Sequence, residues 1–213
     1  MNINKLNKNT PLISFTEIAR LHIAEIHFGF LPLLGEGFLS YLYLLLSQLD
    51  EAGLWVAQEN GKIQGFIFGT ADMKKSYKQV IQKSWISLIV KGFPSIFKRN
   101  VLSKLIAVLQ YPFKNHVEKT DQTHRNTNAE LLSIAVNSES QGKGIGKTLV
   151  LTLESALSEW GVSGDYYVTT NAADPDSIAF YQKMGFTPCS TQKLNDLVLR
   201  VYKKMVIPNS RKE

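Results

Sequence analysis

The chain has 213 residues, a length that fits one domain, 1–213, with room for an insertion. It is 44% hydrophobic and 20% charged, which excludes a disordered chain, a collagen-like chain and a coiled coil. Its single cysteine, Cys189, cannot form an internal disulfide, so we expect a reducing compartment. The apolar run 37–49 is too short to span a bilayer and residues 1–8 lack a signal-peptide pattern, so we expect a cytoplasmic protein.

The positive charge of the chain is concentrated in one segment. The formal net charge is +6, but residues 71–128 hold 11 Lys and Arg against 3 Asp and Glu, a local charge of +8. The remaining 13 basic and 15 acidic residues leave the rest of the chain at −2. A segment this basic favours an anionic partner or substrate.

The first fifty residues have helical patterns. Apolar residues behind Thr16 keep roughly helical spacing, which predicts a helix that is capped by Thr16 and breaks near residues 28–32. A second helix is predicted over 37–49, and its apolar residues on most faces indicate that it is largely buried.

A hairpin and a helical insertion are predicted next. Residues 54–59 and 62–68 flank Asn60-Gly61, a dipeptide that tolerates the positive φ angles of a tight turn. In the insertion, 72–128, apolar residues recur at helical spacing in two stretches. Basic amphipathic helices suit an anionic membrane surface, a phosphate-bearing acceptor or a homodimer interface, and we assign that contact to residues 74–114. A solvated cover over the edge of the core is the plainer alternative.

Strands and helices alternate in the second half of the chain. The predicted elements are a strand over 130–136, a helix ending at Trp160, a strand over 166–170, a short helix ending at Gly185, and strands over 186–190 and 196–205. The short helix begins at Asp174-Pro175, because Asp is a good N-cap and Pro suits the first helical position.

Three glycines within five residues follow the strand over 130–136. The segment Gln141-Gly142-Lys143-Gly144-Ile145-Gly146 precedes an amphipathic helix, so its N–H groups and the helix dipole are available to an anion. A phosphate or pyrophosphate is the natural ligand. Two common phosphate motifs fail by one residue each. Gln141 replaces the first glycine of a Walker A loop, and Lys147 or Leu149 replaces the last glycine of a dinucleotide fingerprint.

Gln141, Gly144 and Gly146 fit the Gln/Arg-x-x-Gly-x-Gly/Ala motif of the GCN5-related N-acetyltransferase (GNAT) superfamily, which the chain resembles. The block Phe180-Tyr181-Gln182-Lys183-Met184-Gly185-Phe186 is similar to the family's FYxxxGF block, and both lie in order within residues 130–186. The resemblance implies an α/β (α+β) fold, a GNAT-like central mixed β-sheet flanked by helices, with a helical insertion between strands 3 and 4. It also implies an acetyl-CoA-dependent N-acetyltransferase that needs no metal.

The resemblance assigns residues to acetyl-CoA binding. It implies that the backbone of Ile134 and Val136 pairs with the pantetheine arm and that the Ile134 amide polarises the thioester carbonyl. It implies that the pyrophosphate is held by the backbone of Gln141, Gly142, Lys143, Gly144, Ile145, Gly146 and Lys147. Asp174, Ser177 and Tyr181 share one helical face. The resemblance implies that this face lines the cofactor groove, although many members have Asn and Ala at the first two positions.

The resemblance also implies the catalytic groups. Tyr181 occupies the position of the family's usual proton donor to the departing CoA thiolate. Glu130 lies eleven residues before Gln141, where histone-modifying members keep a catalytic glutamate that deprotonates the amine. The plainer alternatives are a buried aromatic residue with a satisfied hydroxyl and an exposed glutamate at the start of a strand. Cys189 lies outside the motifs, which favours direct transfer without an acetyl-enzyme.

These residues leave the acceptor open. We expect a primary amine of a small molecule, such as an amino sugar or a nucleotide- or lipid-linked sugar. The alternatives are a peptide or protein amine and an acyl-CoA-binding regulatory module without catalysis. Nucleic-acid binding is disfavoured, because no reader motif accompanies the charge. His22 and His27 are five residues apart, off a common helical face, and are more typical of core or surface histidines than of metal ligands.

Overall fold

A seven-stranded mixed sheet forms the centre of the described structure, a computed structural model that describes residues 1–29, 31–80, 82, 126–194 and 197–207. The strands are β1 Asn2–Lys5, β2 Ala52–Glu59, β3 Lys62–Thr70, β4 Glu130–Val136, β5 Asp165–Asn171, β6 Thr187–Leu194 and β7 Leu197–Met205. Their order across the sheet is β1-β2-β3-β4-β5-β7-β6. Neighbours are antiparallel except β4 and β5, which are parallel.

Helices cover both faces of the sheet. The described helices include α1 Leu12–Glu25, α2 Glu36–Leu46, α3 Ile145–Glu159 and α4 Pro175–Lys183. Alternate residues of β2 point to opposite faces, so Leu54 and Val56 pack with α1 and α2, whereas Trp55 and Ala57 pack with α3. Tyr181 of α4 belongs to the same cluster as Trp55. The pairs α1/α2 and α3/α4 therefore lie on opposite faces.

The predicted hairpin is confirmed. β2 and β3 pair from Ala52↔Thr70 to Glu59↔Lys62, and Asn60 and Gly61 have φ angles of 51° and 76°. Both angles are positive, as the type of turn favoured by Asn-Gly requires.

The start of the first helix was predicted wrongly. α1 begins at Leu12, and Thr16 lies inside it, where its hydroxyl donates to the Leu12 carbonyl at 3.3 Å. A Thr hydroxyl inside a helix can donate to the carbonyl four residues back, so Thr does not by itself mark a helix start. The strand β1 was not predicted from its polar sequence. It pairs with the edge of β2, from Asn2↔Gln58 to Lys5↔Trp55.

Most of the insertion predicted over 72–128, including most of the contact segment 74–114, falls outside the described residues. Residues 73–80 are helical, and residues 126–128 lead into β4. The contact of this segment with an anionic surface, a substrate or a second subunit stays a prediction. In the part of the chain that the structure describes, no helix is both long and apolar enough to cross a bilayer.

Tyr202 of β7 has a fully buried hydroxyl without a hydrogen-bond partner among the described residues. Because an unsatisfied buried hydroxyl is destabilising, Tyr202→Phe is expected to raise the free energy of unfolding by about 1–3 kcal/mol. Tyr166→Phe is the matched control, because the Tyr166 hydroxyl donates to Glu154 at 2.6 Å and its loss should destabilise the protein. Chemical denaturation of both variants tests this, and equal destabilisation by both would contradict it.

Candidate active site

An opening in the sheet lies between β4 and β5. The two strands pair only at Glu130↔Tyr167 and Leu131↔Val168, although β4 continues to Val136 and β5 to Asn171. Each strand keeps its outer neighbour along this stretch, since Val136 pairs with β3 and Asn171 with β7. The backbone of residues 132–136 therefore borders a gap on its β5 side.

A β-bulge lies where this opening begins. Phe68 pairs with Ser133 and Gly69 with Leu131, so Leu132 is an extra residue on β4. The Leu132 side chain is 36% exposed. Bulges bend a strand and redirect its backbone groups, and they are common beside active sites. β4 therefore changes direction at the point where it leaves β5.

The glycine-rich turn at the C-terminal end of β4 has the conformation of an anion-binding loop. Gly142 and Gly144 have φ angles of +75° and +83°, and a Cβ on either would meet no heavy atom within 4 Å. Gly144 is the N-cap of α3. The side-chain amide of Gln141 donates to the Val136 carbonyl at 3.1 Å and joins the turn to the strand. Exposed backbone therefore surrounds open space beside β4.

The N–H groups of this turn are available to a ligand. The first backbone bond of α3 runs from Thr148 to the Gly144 carbonyl, so the N–H groups of residues 144–147 have no acceptor within the helix. The positive end of the α3 dipole and the exposed side chains of Lys143 and Lys147 lie at the same turn. The turn can bind a phosphate or pyrophosphate through its backbone.

Gly146 has a different role from the other two glycines of the motif. It lies in the first turn of α3, and a Cβ there would come within 3.0 Å of the Phe180 ring. Gly146 therefore lets α3 and α4 approach closely. The sequence predicted that all three glycines serve the anion directly, and for Gly146 packing against α4 is an additional reason for glycine.

The first residues of α4 are joined by a capping interaction. The Asp174 side chain accepts from the Ser177 N–H at 3.1 Å and from the Ser177 hydroxyl at 2.6 Å. Both side chains thus stabilise the start of the helix, as the sequence predicted for Asp174. Their predicted contact with acetyl-CoA stays a prediction.

Tyr181 lies further along α4 and is 6% exposed. Its ring packs against Phe180, Phe186 and Tyr202. Burial, together with the charge of Asp174, raises the pKa of Tyr181 above its ordinary value. The phenol is therefore protonated at neutral pH, and it is a weaker acid than a free phenol.

A comparison with known protein families shows which family the chain belongs to. The model of the acetyltransferase (GNAT) family matches residues 22–186, which include β4, the glycine turn and α4. The chain belongs to the GNAT acetyltransferase family. This confirms the predicted family and the predicted mixed sheet with flanking helices. No curated protein matches the chain.

Solved structures show the same fold at low sequence identity. Aminoglycoside 6'-acetyltransferase type Ii matches with a TM-score of 0.60 and 15% identity, over 98% of this chain and 99% of that chain. A putative GNAT acetyltransferase from Desulfovibrio desulfuricans matches with a TM-score of 0.58 and 12% identity, over 97% of this chain and 99% of that chain. The ribosomal-protein-S18-alanine N-acetyltransferase from Escherichia coli matches with a TM-score of 0.56 and 13% identity, over 100% of this chain and 97% of that chain.

Glu130, the predicted base of this GNAT acetyltransferase, lies at the closed end of the opening. It is the first residue of β4, pairs with Thr70 and Tyr167, and is partly buried. It precedes the bulge by two residues. Among the described residues, no group of three or more His, Cys, Asp or Glu side chains could hold a metal ion.

A buried polar chain beside β4 was missed by the sequence analysis. The His22 Nδ1 atom lies 2.6 Å from the Tyr43 hydroxyl, which lies 3.2 Å from the Ser133 hydroxyl. His22 and Tyr43 are 3% and 2% exposed, and the His22 ring stacks on Phe66. Helical spacing relates His22 only to neighbours such as His27 and contains no signal for partners 21 and 111 residues away.

The titration of His22 should make stability depend on pH. Burial lowers the pKa of His22 from 6.5 to about 4, so between these values the unfolded chain binds a proton that the folded protein does not. The free energy of unfolding should therefore fall as the pH falls from 6.5 to 4, by on the order of 3 kcal/mol from this group. Unfolding by urea at pH 7 and pH 4.5 measures it. His22→Asn keeps an acceptor near the position of Nδ1 but does not titrate, and an identical pH dependence in that variant would contradict the assignment.

Proposed function

We propose that this GNAT-family protein transfers an acetyl group from acetyl-CoA directly to a primary amine of a small acceptor. The observation that carries the proposal is the opening between β4 and β5, which ends beside a turn of unpaired N–H groups. An extended thioester chain with a pyrophosphate at one end fits such a combination of strand edge and anion-binding turn. Bound acetyl-CoA supplies the activated acetyl group as a thioester.

Different backbone segments of the chain bind different parts of acetyl-CoA in this proposal. We assign the pyrophosphate to the backbone of residues 141–147, where Gly142 and Gly144 leave open space that side chains would otherwise fill. The backbone of Ile134 and Val136 faces the extended part of the ligand, and the Ile134 amide polarises the carbonyl that is attacked.

Two groups move protons in the proposed mechanism. Tyr181 donates its phenol proton to the thiolate as the C–S bond breaks, because its phenol is protonated at neutral pH. Glu130 removes a proton from the attacking amine, because an ammonium group has no lone pair with which to attack the thioester. Cys189 lies on β6, which β5 and β7 separate from β4 in the sheet order, and this supports transfer without an acetyl-enzyme.

An amino sugar, free or linked to a nucleotide or lipid, is the acceptor that we propose. The local charge of +8 in residues 71–128 favours a phosphate-bearing molecule over a neutral one. A peptide or protein amine is the alternative. The Escherichia coli structure with a similar fold is named for such an acceptor, but at 13% identity the likeness concerns the fold alone.

The proposal is tested by measuring CoA thiol release from acetyl-CoA with a panel of amines. The panel holds amino sugars, sugar nucleotides with a free amine, polyamines and peptides with free N-termini. Release with an amino compound and a mass increase of one acetyl group on it support the proposal. Calorimetric binding of acetyl-CoA without release from any amine would favour the regulatory module instead. Release only with peptides would favour the peptide alternative.

A further inference from the structure

The chain from His22 through Tyr43 to Ser133 ends beside the opening between β4 and β5. Ser133 is the residue after the bulged Leu132 and lies on the stretch of β4 that β5 does not cover. Ser133 is only partly buried, whereas His22 and Tyr43 are almost completely buried. A hydrogen-bonded chain thus connects the core to a residue that borders the opening at the proposed active site.

The hydrogens in this chain run in one of two directions, depending on the tautomer of His22. When Nε2 carries the ring proton, His22 Nδ1 accepts from the Tyr43 hydroxyl, and the 2.6 Å between these two atoms suits an O–H donor. In this direction, which the proposal below uses, Tyr43 donates to His22. Since a phenol has one hydrogen, the Tyr43 oxygen then accepts from the Ser133 hydroxyl at 3.2 Å. The remaining lone pair of Ser133 Oγ is left for another donor.

The two faces of the sheet place Ser133 opposite Tyr181. Ser133 contacts Tyr43 of α2, on the face covered by α1 and α2, whereas Tyr181 belongs to the cluster on the α3/α4 face. An amine and a leaving thiolate are bonded to the same carbon in the tetrahedral intermediate, and each needs its own proton-handling group. A hydrogen-bond acceptor on the face opposite Tyr181 suits the amine.

We propose that Ser133 binds an N–H of the acceptor's amine, and that His22 and Tyr43 are positioning residues that keep the Ser133 oxygen as a hydrogen-bond acceptor. The inference rests on the proposed transfer to an amine. One N–H held by Ser133 orients the lone pair of a neutral amine toward the opening. The same oxygen has no hydrogen left to donate to a carbonyl oxygen at that position.

Steady-state kinetics with an amine that the wild-type protein acetylates test the role of Ser133. Ser133→Ala should raise the KM for the amine about 5- to 10-fold, as expected for one lost hydrogen bond, and should leave the KM for acetyl-CoA unchanged. Ser133→Thr keeps the hydroxyl and should restore most of the amine KM. Ser155→Ala, at an exposed serine on α3, is the matched control and should change neither constant.

The positioning role predicts non-additive effects. Tyr43→Phe should raise the KM for the amine in the same direction as Ser133→Ala, and the double variant should be no worse than Ser133→Ala alone. His22→Asn, which keeps an acceptor for the Tyr43 hydroxyl, should behave like wild type, whereas His22→Phe should resemble Tyr43→Phe. Additive increases of the amine KM in the double variant would contradict the positioning role of Tyr43 and His22.

A spectroscopic measurement tests the direction of the chain without catalysis. Nitrogen chemical shifts of the His22 ring at pH 7 should show a neutral imidazole protonated on Nε2, with a shift at Nδ1 on Tyr43→Phe. A proton on Nδ1 would make Ser133 a donor and overturn the inference. If wild-type protein acetylates an amine but Ser133→Ala keeps its KM, this inference alone fails. If no amine is acetylated, the proposed function fails with it.

Discussion

Tyr181→Phe is expected to lower kcat by roughly 10²–10⁴-fold, the range for loss of a general acid. The affinity for acetyl-CoA should stay the same, because phenylalanine keeps the packing against Phe180 and Phe186 and loses only the hydroxyl. Single-turnover acetyl transfer measures the chemical step, and calorimetry measures acetyl-CoA binding.

The control for Tyr181→Phe is Tyr202→Phe. The two tyrosines lie in one cluster with ring centroids 6.2 Å apart, so both changes remove a hydroxyl from the same surroundings. Only the first change should slow the chemical step. An unchanged rate in Tyr181→Phe, together with a lower melting temperature, would mean that the hydroxyl is structural and that another group or solvent protonates the thiolate.

Gly144→Ala should weaken acetyl-CoA binding on the order of 10- to 100-fold, the effect of losing a hydrogen bond to a charged group. The N-cap of α3 has a φ of +83°, a conformation that disfavours a Cβ, and a side chain there would project into open space at the turn. The backbone must shift or the space must be filled, and either change disturbs the N–H groups that we assign to the pyrophosphate. Calorimetry with acetyl-CoA measures the loss.

The other end of α3 offers a matched control. Gly161 has a φ of +77° and, like Gly144, no heavy atom within 4 Å of an added Cβ. Gly161→Ala should therefore carry a similar backbone strain, about 1 kcal/mol in the free energy of unfolding, without touching the turn. If both variants bind acetyl-CoA as wild type does, the turn is not the pyrophosphate site. Equally weakened acetyl-CoA binding in both variants would mean that the effect comes from strain in α3.

Local chemistry explains why much of the fold was predictable. Asn60-Gly61 specifies its turn because both residues tolerate positive φ, and Asp174-Pro175 begins α4 because the cap and the fixed proline φ act within one turn. The glycine motif predicts the turn before α3 for the same reason. Signals of this kind depend on residues close in sequence, and the sequence contains them in full.

Residues whose partners are distant in the chain were harder to predict. Gly146 needs Phe180 to explain its lack of a side chain, and β1 is a strand because an edge of β2 is available to its polar residues. The order β5-β7-β6 follows from long-range pairing rather than from chain order. Propensity and periodicity describe segments one at a time and contain no information about such contacts.

The sequence by itself determined the family resemblance, the alternation of strands and helices, and the candidate residues from Gln141 to Lys147 and at Tyr181. The tertiary structure alone decided that β4 separates from β5 after Leu131 and that His22, Tyr43 and Ser133 form one chain. The opening exists because each strand is held by its outer neighbour rather than by the other. The hydrogen-bonded chain exists because α1 and α2 pack on the face of the sheet toward which Ser133 points. Burial of apolar surface, between residues far apart in the sequence, sets this packing.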